Sequence, residues 1–354
     1  MTPMQFGSDN QTGASPRVME MLARANAGHT HGYGNDEWTE RAVEALKAVF
    51  QCDLSAFFVP TGTAANALAL SSLVKPWETT LCHDLAHVAL DESTAHEFFG
   101  GGARIRGISR GDGKLESRHL EQYFRFTGVE IPHNSQARAL SISQASENGL
   151  VQTPAELAAL CTIAHQHGLR VHMDGARFSN AVASLGCAPA DITWKAGVDV
   201  LCLGATKNGA LAAEAVIFFT RELADDFVHR RKRSGHLLSK GRLFGAQFVG
   251  WLEDGYWLDL ARHANAKAAR LAGGLSSIPG IRLARPAQAN ELFVIMPKAI
   301  AARLKSAGAE FYEWYLDALP PGTRLAEEET FIRLVTSFVT TDEQVDEFCA
   351  VALR

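Results

Sequence analysis

The chain has 354 residues, 47% of them apolar, and a formal net charge of -5 from 34 basic and 39 acidic residues. This composition excludes intrinsic disorder and does not favour binding to nucleic acid or to a membrane surface. The six cysteines are scattered without a C-x-x-C pair, and no apolar run is long enough to cross a bilayer. We therefore expect a cytoplasmic protein with reduced thiols.

The first predicted elements are two helices around a polar loop. Pro16 follows Ser15 as the first residue of a helix, which is the usual place for proline. The stretch Ala27–Asn35 is typical of a loop, and exposed loops that carry histidine and tyrosine are often functional. A second helix is predicted over Asp36–Phe50, because apolar residues recur there with helical spacing.

A strand, a turn and a helix follow at AFFVPTGTAANALALSSLV. Ala56–Val59 predicts the strand, Pro60 ends it, and Ala64–Val74 has the composition of a helix. Such a junction can bind an anion, because the free backbone N–H groups and the helix dipole point at the ligand. An ordinary turn with Thr63 as the helix N-cap fits the same pattern, and the residues leave both interpretations open.

Alternating strands and helices dominate the middle of the chain. Helices are predicted over Glu116–Phe126 and Pro154–His167, and strands over Ala139–Ser143, Leu169–Met173 and Ala215–Phe219. This alternation predicts an α/β fold with a mostly parallel sheet and helices on both faces. From about Trp251 the pattern changes to a long helix over Leu258–Leu275, a strand over Phe331–Ser337 and a final helix.

The chain is longer than one hydrophobic core usually allows, so two domains are expected. We place an N-terminal arm and a large domain at residues 1–250, and a smaller C-terminal α+β domain at residues 251–354.

Lys207 stands at the end of a predicted buried strand, in the stretch Val198–Ala210. Open α/β sheets bind ligands at the carboxyl ends of their strands. A lysine there can lose solvation, lower its pKa and attack a carbonyl, although it can also simply face water.

Asp174 and Arg177 follow the preceding strand in the same way. A helix N-cap and a surface ion pair are the alternatives for these two residues.

Other catalytic motifs do not fit. Gly107–Gly111 matches G-x-S-x-G, but a turn follows it instead of a helix, so we reject it as a nucleophile elbow. The chain has no P-loop, no H-E-x-x-H and no G-x-G-x-x-G after a strand, and its histidines lack metal-ligand spacing. We therefore expect no metal site.

Five of these residues together suggest one kind of binding site, namely Gly62, Thr63, Asp174, Arg177 and Lys207. A phosphate cradle, a carboxylate for a protonated ring nitrogen and a lysine for a Schiff base are the groups that hold pyridoxal phosphate. Each alternative is credible for one residue, but not for all of them together in this order.

At these residues the chain resembles the threonine aldolases, a family of fold-type I pyridoxal-phosphate enzymes. The matching pieces are F-G-S-D-N, H-G-Y-G-N-D-E-W-T, P-T-G-T-A-A-N, A-H-V-A-L-D-E, H-M-D-G-A-R-F-S-N-A, L-G-A-T-K-N-G and F-I-R-L-V-T. The low-specificity and phenylserine branch is the most similar. The resemblance implies an aspartate-aminotransferase-like fold and cleavage of L-threonine, L-allo-threonine or phenylserine to glycine and an aldehyde. A transaminase or a β-eliminating lyase on the same scaffold is the alternative.

The resemblance also implies roles for single residues. Lys207 would hold the cofactor, Asp174 would contact its ring nitrogen and His87 would stack on its ring. Gly62 and Thr63 would bind its phosphate, with Thr206 close by and Arg177 also near the cofactor. The substrate carboxylate would bind to Ser8, Arg177 and Arg333. The catalytic base would be His133, His87 or a water that they hold.

Some assignments that follow from the resemblance stay open. Tyr33 would also bind the substrate, and Tyr33 and Asp36 lie in a loop that often comes from the neighbouring subunit. The resemblance implies a homotetramer of two dimers whose active sites use both chains. Many members have E-N-T-x-x-G where this chain has Q-A-S-E-N-G, so either Gln144 or Glu147 would make the contact of that stretch. One of three basic residues would reach the cofactor, namely Lys232, Arg233 or Lys240.

Overall fold

A computed structural model describes residues 4–109, 113–127 and 132–354. The strands are β1 Met4–Gln5, β2 Ser55–Val59, β3 Glu78–Cys82, β4 Arg104–Gly107, β5 Gln136–Ser143, β6 Arg170–Gly175, β7 Val200–Gly204, β8 Glu214–Phe218, β9 Arg282–Leu283, β10 Glu291–Pro297, β11 Ala309–Glu310, β12 Tyr312–Glu313 and β13 Glu329–Val335. Part of the rejected G-I-S-R-G motif lies outside the described residues.

The helices alternate with these strands through most of the chain. They are α1 Pro16–Ala25, α2 Glu37–Phe50, α3 Gly62–Leu73, α4 His87–Leu90, α5 Ala95–Phe99, α6 Ser117–Phe126, α7 Pro154–Gln166, α8 Phe178–Leu185, α9 Phe227–Arg233, α10 Arg242–Leu252, α11 Tyr256–Ser276, α12 Lys298–Ser306 and α13 Asp342–Leu353. In the described part of the chain, no helix combines the length and the apolar character needed to cross a membrane.

A central sheet of seven strands, counted over the described residues, has the order β2-β8-β7-β6-β5-β3-β4. The strands from β4 to β7 are parallel, and β8 runs antiparallel to both β2 and β7. The predicted, mostly parallel sheet is therefore confirmed. Strand β7 is buried along its whole length, as expected for a strand that helices cover on both faces.

Strand direction places one set of loops together. The carboxyl ends of β5, β6 and β7 lie at the same edge of the sheet, and β8 begins there because it runs the opposite way. In register, Glu214 lies opposite both Val59 and Gly204, so the turn into α3 is at this edge too.

Helix α3 begins earlier than the sequence suggests. Thr61 is its N-cap, and the Thr61 hydroxyl accepts a hydrogen bond from the backbone N–H of Ala64 at 3.2 Å. The alternative with Thr63 as N-cap is wrong, because Thr63 already belongs to the first helical turn. That shift leaves the N–H groups of Gly62 and Thr63 at the open end of the helix.

The C-terminal part forms a separate antiparallel sheet of order β12-β13-β10-β9, next to α11, α12 and α13. This agrees with the predicted smaller α+β unit. The N-terminal strand β1 pairs with β11, and Met4 and Phe6 pack in the hydrophobic cluster of this C-terminal part. The start of the chain therefore contacts the smaller unit.

Candidate active site

A cavity of about 320 Å³ opens at the edge where the parallel strands end. It brings together most of the cofactor residues expected from the sequence. They are Gly62, Thr63, His87, Asp174, Arg177, Thr206 and Lys207. These residues come from four separate chain segments, so only the fold places them side by side.

Lys207 is held in a short 3₁₀ turn directly after β7. Two tryptophans fix this turn, because Asn208 donates to the backbone carbonyl of Trp257 at 2.8 Å and Trp251 donates to that of Asn208 at 2.8 Å. Gly209 closes the turn with a φ of +104°, which a side chain would strain. The amine of Lys207 thus projects from a rigid support into the cavity.

The first turn of α3 forms a second wall of the cavity. An added Cβ at Gly62 would meet no atom within 4 Å, so there is open space in front of the helix N-terminus. Thr63 and Thr206 line the same cavity. This surface fits a phosphate, since the free N–H groups and the helix dipole favour an anion.

Asp174 ends β6 and belongs to a hydrogen-bonded network. Its Oδ2 accepts from the Asn66 amide at 2.9 Å, and its Oδ1 accepts from the backbone N–H of Ala176 at 3.0 Å. Among the described residues, no basic side chain forms an ion pair with Asp174. The carboxylate is therefore available for a protonated ring nitrogen.

The network continues from Asn66 to His87. The amide of Asn66 also donates to Glu92 at 2.9 Å, and Glu92 lies 2.9 Å from Nδ1 of His87. The hydrogen bond with Glu92 raises the pKa of His87 above its usual value. Polar atoms of His87, Glu92 and Asp174 lie within 4.8 Å of one another, but the Asn66 amide already donates to both carboxylates. We therefore interpret the group as a hydrogen-bond network.

A second cavity of about 290 Å³ adjoins the first and contains Ser8, Arg177 and Arg333. Two buried carboxylates, Asp9 and Glu291, contact the arginines of this cavity. Asp9 accepts from Nε and Nη2 of Arg177 at 2.8 and 3.0 Å, and Glu291 lies 3.3 Å from Arg177 and 3.6 Å from Arg333. Burial lowers the pKa of Arg177, but Asp9 and Glu291 outweigh burial and raise it above its ordinary value.

Aromatic and apolar side chains complete the second cavity. The guanidinium of Arg333 lies 3.9 Å from the ring centroid of Trp314. Leu85, Leu90, Tyr315 and Ala318 line the same space. The cavity therefore has a cationic end and an apolar wall.

Glu147 lines both cavities, whereas Gln144 does not line either. Gln144 is buried and bonded to the backbone of Gln152, which is a structural role. Burial raises the pKa of Glu147 to about 7. It likewise raises the pKa of Glu214, which lies near Lys207, to about 7.

His133 is not brought to either cavity. It is exposed and lies beside Trp77 and Arg104, in a separate depression where β3, β4 and β5 begin. This is the amino edge of the parallel strands, opposite the edge that carries Lys207. Within this chain, His133 therefore does not lie where it was expected, near the substrate hydroxyl group.

The other candidates from the sequence also lie apart. Tyr33 is 51% exposed in a groove with Phe57 and Arg231, and Lys232 lies 5.1 Å from the centroid of its ring. Arg233 and Lys240 are exposed, and neither cavity is lined by any of the three basic candidates. Asp36 caps α2, where it accepts from the N–H of Thr39 at 2.9 Å.

Sequence reasoning missed Asn66, Glu92, Ser143, Asp9 and Glu291. Glu291 lies outside every motif, and Asn66 lies within a helix that is buried on nearly all sides. The segments P-T-G-T-A-A-N, A-H-V-A-L-D-E and F-G-S-D-N include Asn66, Glu92 and Asp9, so the resemblance carried a signal that could have found these three residues.

Comparison with known proteins agrees with this geometry. A family model described as beta-eliminating lyase matches residues 5–299. A low specificity L-threonine aldolase of Pseudomonas sp. is 44% identical over 87% of this chain and 88% of its own length. The chain belongs to the threonine aldolase family. A second relative of that description, from Pseudomonas aeruginosa, is 42% identical over the same shares.

A solved structure of threonine aldolase from Leishmania major superposes with a TM-score of 0.90 at 30% identity, covering 99% of this chain and 98% of that one. A serine palmitoyltransferase from Sphingomonas wittichii, with a TM-score of 0.71 at 16% identity over 99% and 86% of the two chains, shows the fold alone. The aldolase-family chain is thus an aldehyde-lyase with the fold of type I pyridoxal-phosphate enzymes, and its cofactor is pyridoxal phosphate. Asp174, Lys207 and the open end of α3 fit that group.

Proposed function

We propose that this enzyme cleaves L-threonine, L-allo-threonine and related β-hydroxy-α-amino acids, including phenylserine, to glycine and an aldehyde. One observation carries the proposal. The cavity with Lys207, Asp174 and the helix N-terminus opens directly onto the cavity with Arg177 and Arg333. A cofactor site and a carboxylate site are therefore adjacent, as a reaction on an amino acid requires.

The first cavity would hold the cofactor. Lys207 would bind it covalently, Asp174 would accept a hydrogen bond from its ring nitrogen, and His87 would stack on its ring. Gly62, Thr63 and Thr206 would donate to its phosphate. When bound, pyridoxal phosphate supplies an electron sink for the carbon that loses the aldehyde. This chain's own contribution is to fix the ring and keep its nitrogen protonated.

The second cavity would orient the substrate. Ser8, Arg177 and Arg333 would hold the carboxylate, because a guanidinium binds a carboxylate with two hydrogen bonds. With the carboxylate fixed, these residues would set the orientation of the Cα–Cβ bond toward the bound cofactor. Positioning of this kind contributes several kcal/mol, on the order of 7 in favourable cases.

The apolar wall of the second cavity supports the choice of side chains. Leu85, Leu90 and Tyr315 offer apolar contacts to a methyl or a phenyl group on Cβ. We therefore include phenylserine among the substrates.

We also propose that the enzyme is a cytoplasmic homotetramer of two dimers. The six free thiols support a reducing compartment. The exposed ring of Tyr33, in a groove with Phe57 and Leu238, supports a subunit contact there. The division into domains at residues 250 and 251 remains part of this proposal.

The test is the visible absorbance of the purified enzyme and its release of aldehyde from each substrate. Lys207→Ala should lose the visible band and nearly all aldehyde release, because the covalent attachment point is gone. Lys195→Ala is the matched control, since Lys195 forms an ion pair with Asp191 away from the cavities. A band without aldehyde, together with keto acid or ammonia, would instead favour a transaminase or a β-eliminating lyase.

A further inference from the structure

We infer that Glu147 is the base that takes the proton from the β-hydroxyl group of the substrate. The inference rests on the proposed function and names the group that begins its reaction. Glu147 would remove the hydroxyl proton, the O–H electron pair would form the C=O bond of the aldehyde, and the Cα–Cβ bond would break. The electron pair of the broken Cα–Cβ bond would remain with the glycine fragment. Glycine gains one proton at Cα and Glu147 releases one, so the overall reaction is proton-neutral.

The first observation is the wall that the two cavities share. Five residues line both of them, namely Asn10, His87, Glu147, Arg177 and Lys207. A substrate with its nitrogen at the cofactor and its carboxylate at the arginines must place the scissile bond against this shared wall. The base has to be one of these five residues or a water that they hold.

Chemistry removes four of the five. Asn10 cannot accept a proton, and the guanidinium of Arg177 is already charged. Lys207 holds the cofactor through its amine, which the substrate amine would displace, so we assign Lys207 to that exchange. His87 uses Nδ1 for Glu92, and this hydrogen bond favours the protonated ring, which is a poor proton acceptor. Glu147 remains.

Glu147 is also fixed in position. Its Oε1 accepts from the hydroxyl of Ser143 at 2.6 Å and from the backbone N–H of His87 at 2.8 Å. Its Oε2 is buried and has no hydrogen-bond partner among the described residues. One oxygen is thus anchored, and the other is not used by the protein.

Charge and burial suit the task. Burial raises the pKa of Glu147 to about 7, and the hydrogen bond from Ser143 limits that rise. A base works best when its pKa is close to the operating pH. The charged groups facing Glu147 are Asp174 on β6, Arg177 before α8, Lys207 after β7 and His87 on α4, and the Cys82 thiol lies on β3.

The pH dependence of the reaction follows from the protonation state that Glu147 needs in order to act. The base acts in its deprotonated form, so kcat/KM should rise with pH through about 7 and then level off. The same group in its protonated form cannot accept the hydroxyl proton.

Glu147→Gln tests the inference, because glutamine keeps the acceptor oxygen for Ser143 and His87 but cannot take a proton. We expect aldehyde release to fall by about 10²- to 10⁴-fold, mainly in kcat, with loss of the rise near pH 7. Exchange of the Cα protons of glycine in D₂O, followed by NMR, should persist, because it involves no hydroxyl group. Glu78→Gln is the matched control, since Glu78 is a buried carboxylate at the amino edge that accepts a hydrogen bond from the backbone N–H of Lys75.

A second variant guards against a folding defect in the first. Ser143→Ala removes one donor to Glu147, so the rise in kcat/KM should move to higher pH while the maximum is largely retained. Normal aldehyde release and an unchanged pH profile in Glu147→Gln, or no shift in Ser143→Ala, would overturn the inference. Wild-type enzyme that shows neither glycine exchange nor aldehyde release would instead refute the proposed function.

Discussion

The two adjoining cavities treat charge in opposite ways. In the first, Asp174 is bonded to neutral donors and keeps its negative charge free for a ligand. In the second, the protein's own carboxylates already contact the cations, because Asp9 accepts two hydrogen bonds from one edge of the Arg177 guanidinium and Glu291 lies near both Arg177 and Arg333.

This difference between the cavities suits a cofactor that stays bound in the first and a substrate that comes and goes in the second. A ligand cation that meets Asp174 has no ion pair of that carboxylate to displace, because the hydrogen-bond donors to Asp174 are neutral. A substrate carboxylate must compete with Asp9 and Glu291 for the same guanidiniums, so part of its binding energy is offset. We infer that the enzyme keeps its cofactor and exchanges its amino acid.

Among the changes that test this contrast between the cavities, the largest effect is expected when the carboxylate charge of Asp174 is removed. Asp174→Asn preserves the shape of the side chain but no longer stabilises a protonated ring nitrogen. The loss in kcat should be on the order of 10²- to 10³-fold, as for other preorganised electrostatic groups. Cofactor affinity, measured by titrating the visible band, should also fall.

Asp199→Asn is the control for that experiment. Asp199 is also a buried aspartate, but it is bonded to His165, Arg170 and Thr220 outside both cavities. Its replacement should affect stability more than the spectrum. If Asp174→Asn stayed within a few-fold of the wild type in kcat, the contrast between the cavities would be wrong.

A smaller effect, of opposite sign, is expected in the second cavity. Glu291→Gln removes a like charge beside the bound carboxylate, so the KM for L-threonine should fall by about tenfold. The visible band should not change, because Glu291 does not line the first cavity. Steady-state kinetics check this, and an unchanged or raised KM would show that Glu291 holds the arginines in place more than it competes.

The smallest effect is expected outside both cavities. His133→Ala should change kcat and KM by less than about twofold, since an exposed side chain away from the site contributes little. A large loss in assembled enzyme would mean that His133 reaches an active site from another subunit.

Several features follow from the sequence alone because they are local. The alternation of strands and helices predicts the parallel sheet, and the turns around Thr61 and Lys207 follow directly from strand ends. In a parallel sheet all strands end at one edge, so residues that follow strands must meet there. This is why Gly62, Asp174 and Lys207 could be assigned together.

Only the tertiary structure determined which polar and charged side chains contact one another. Asn66 and Asp174 are 108 residues apart, and their contact depends on how α3 packs over the sheet. The places of Glu147 and Glu291 likewise depend on the loop after β5 and on the docking of the smaller sheet. His133 shows the reverse case, because it precedes its strand and so lies at the opposite edge. Sequence order determines which edge of the sheet a residue occupies, but the partner of a buried charge depends on contacts between segments that are distant in the chain.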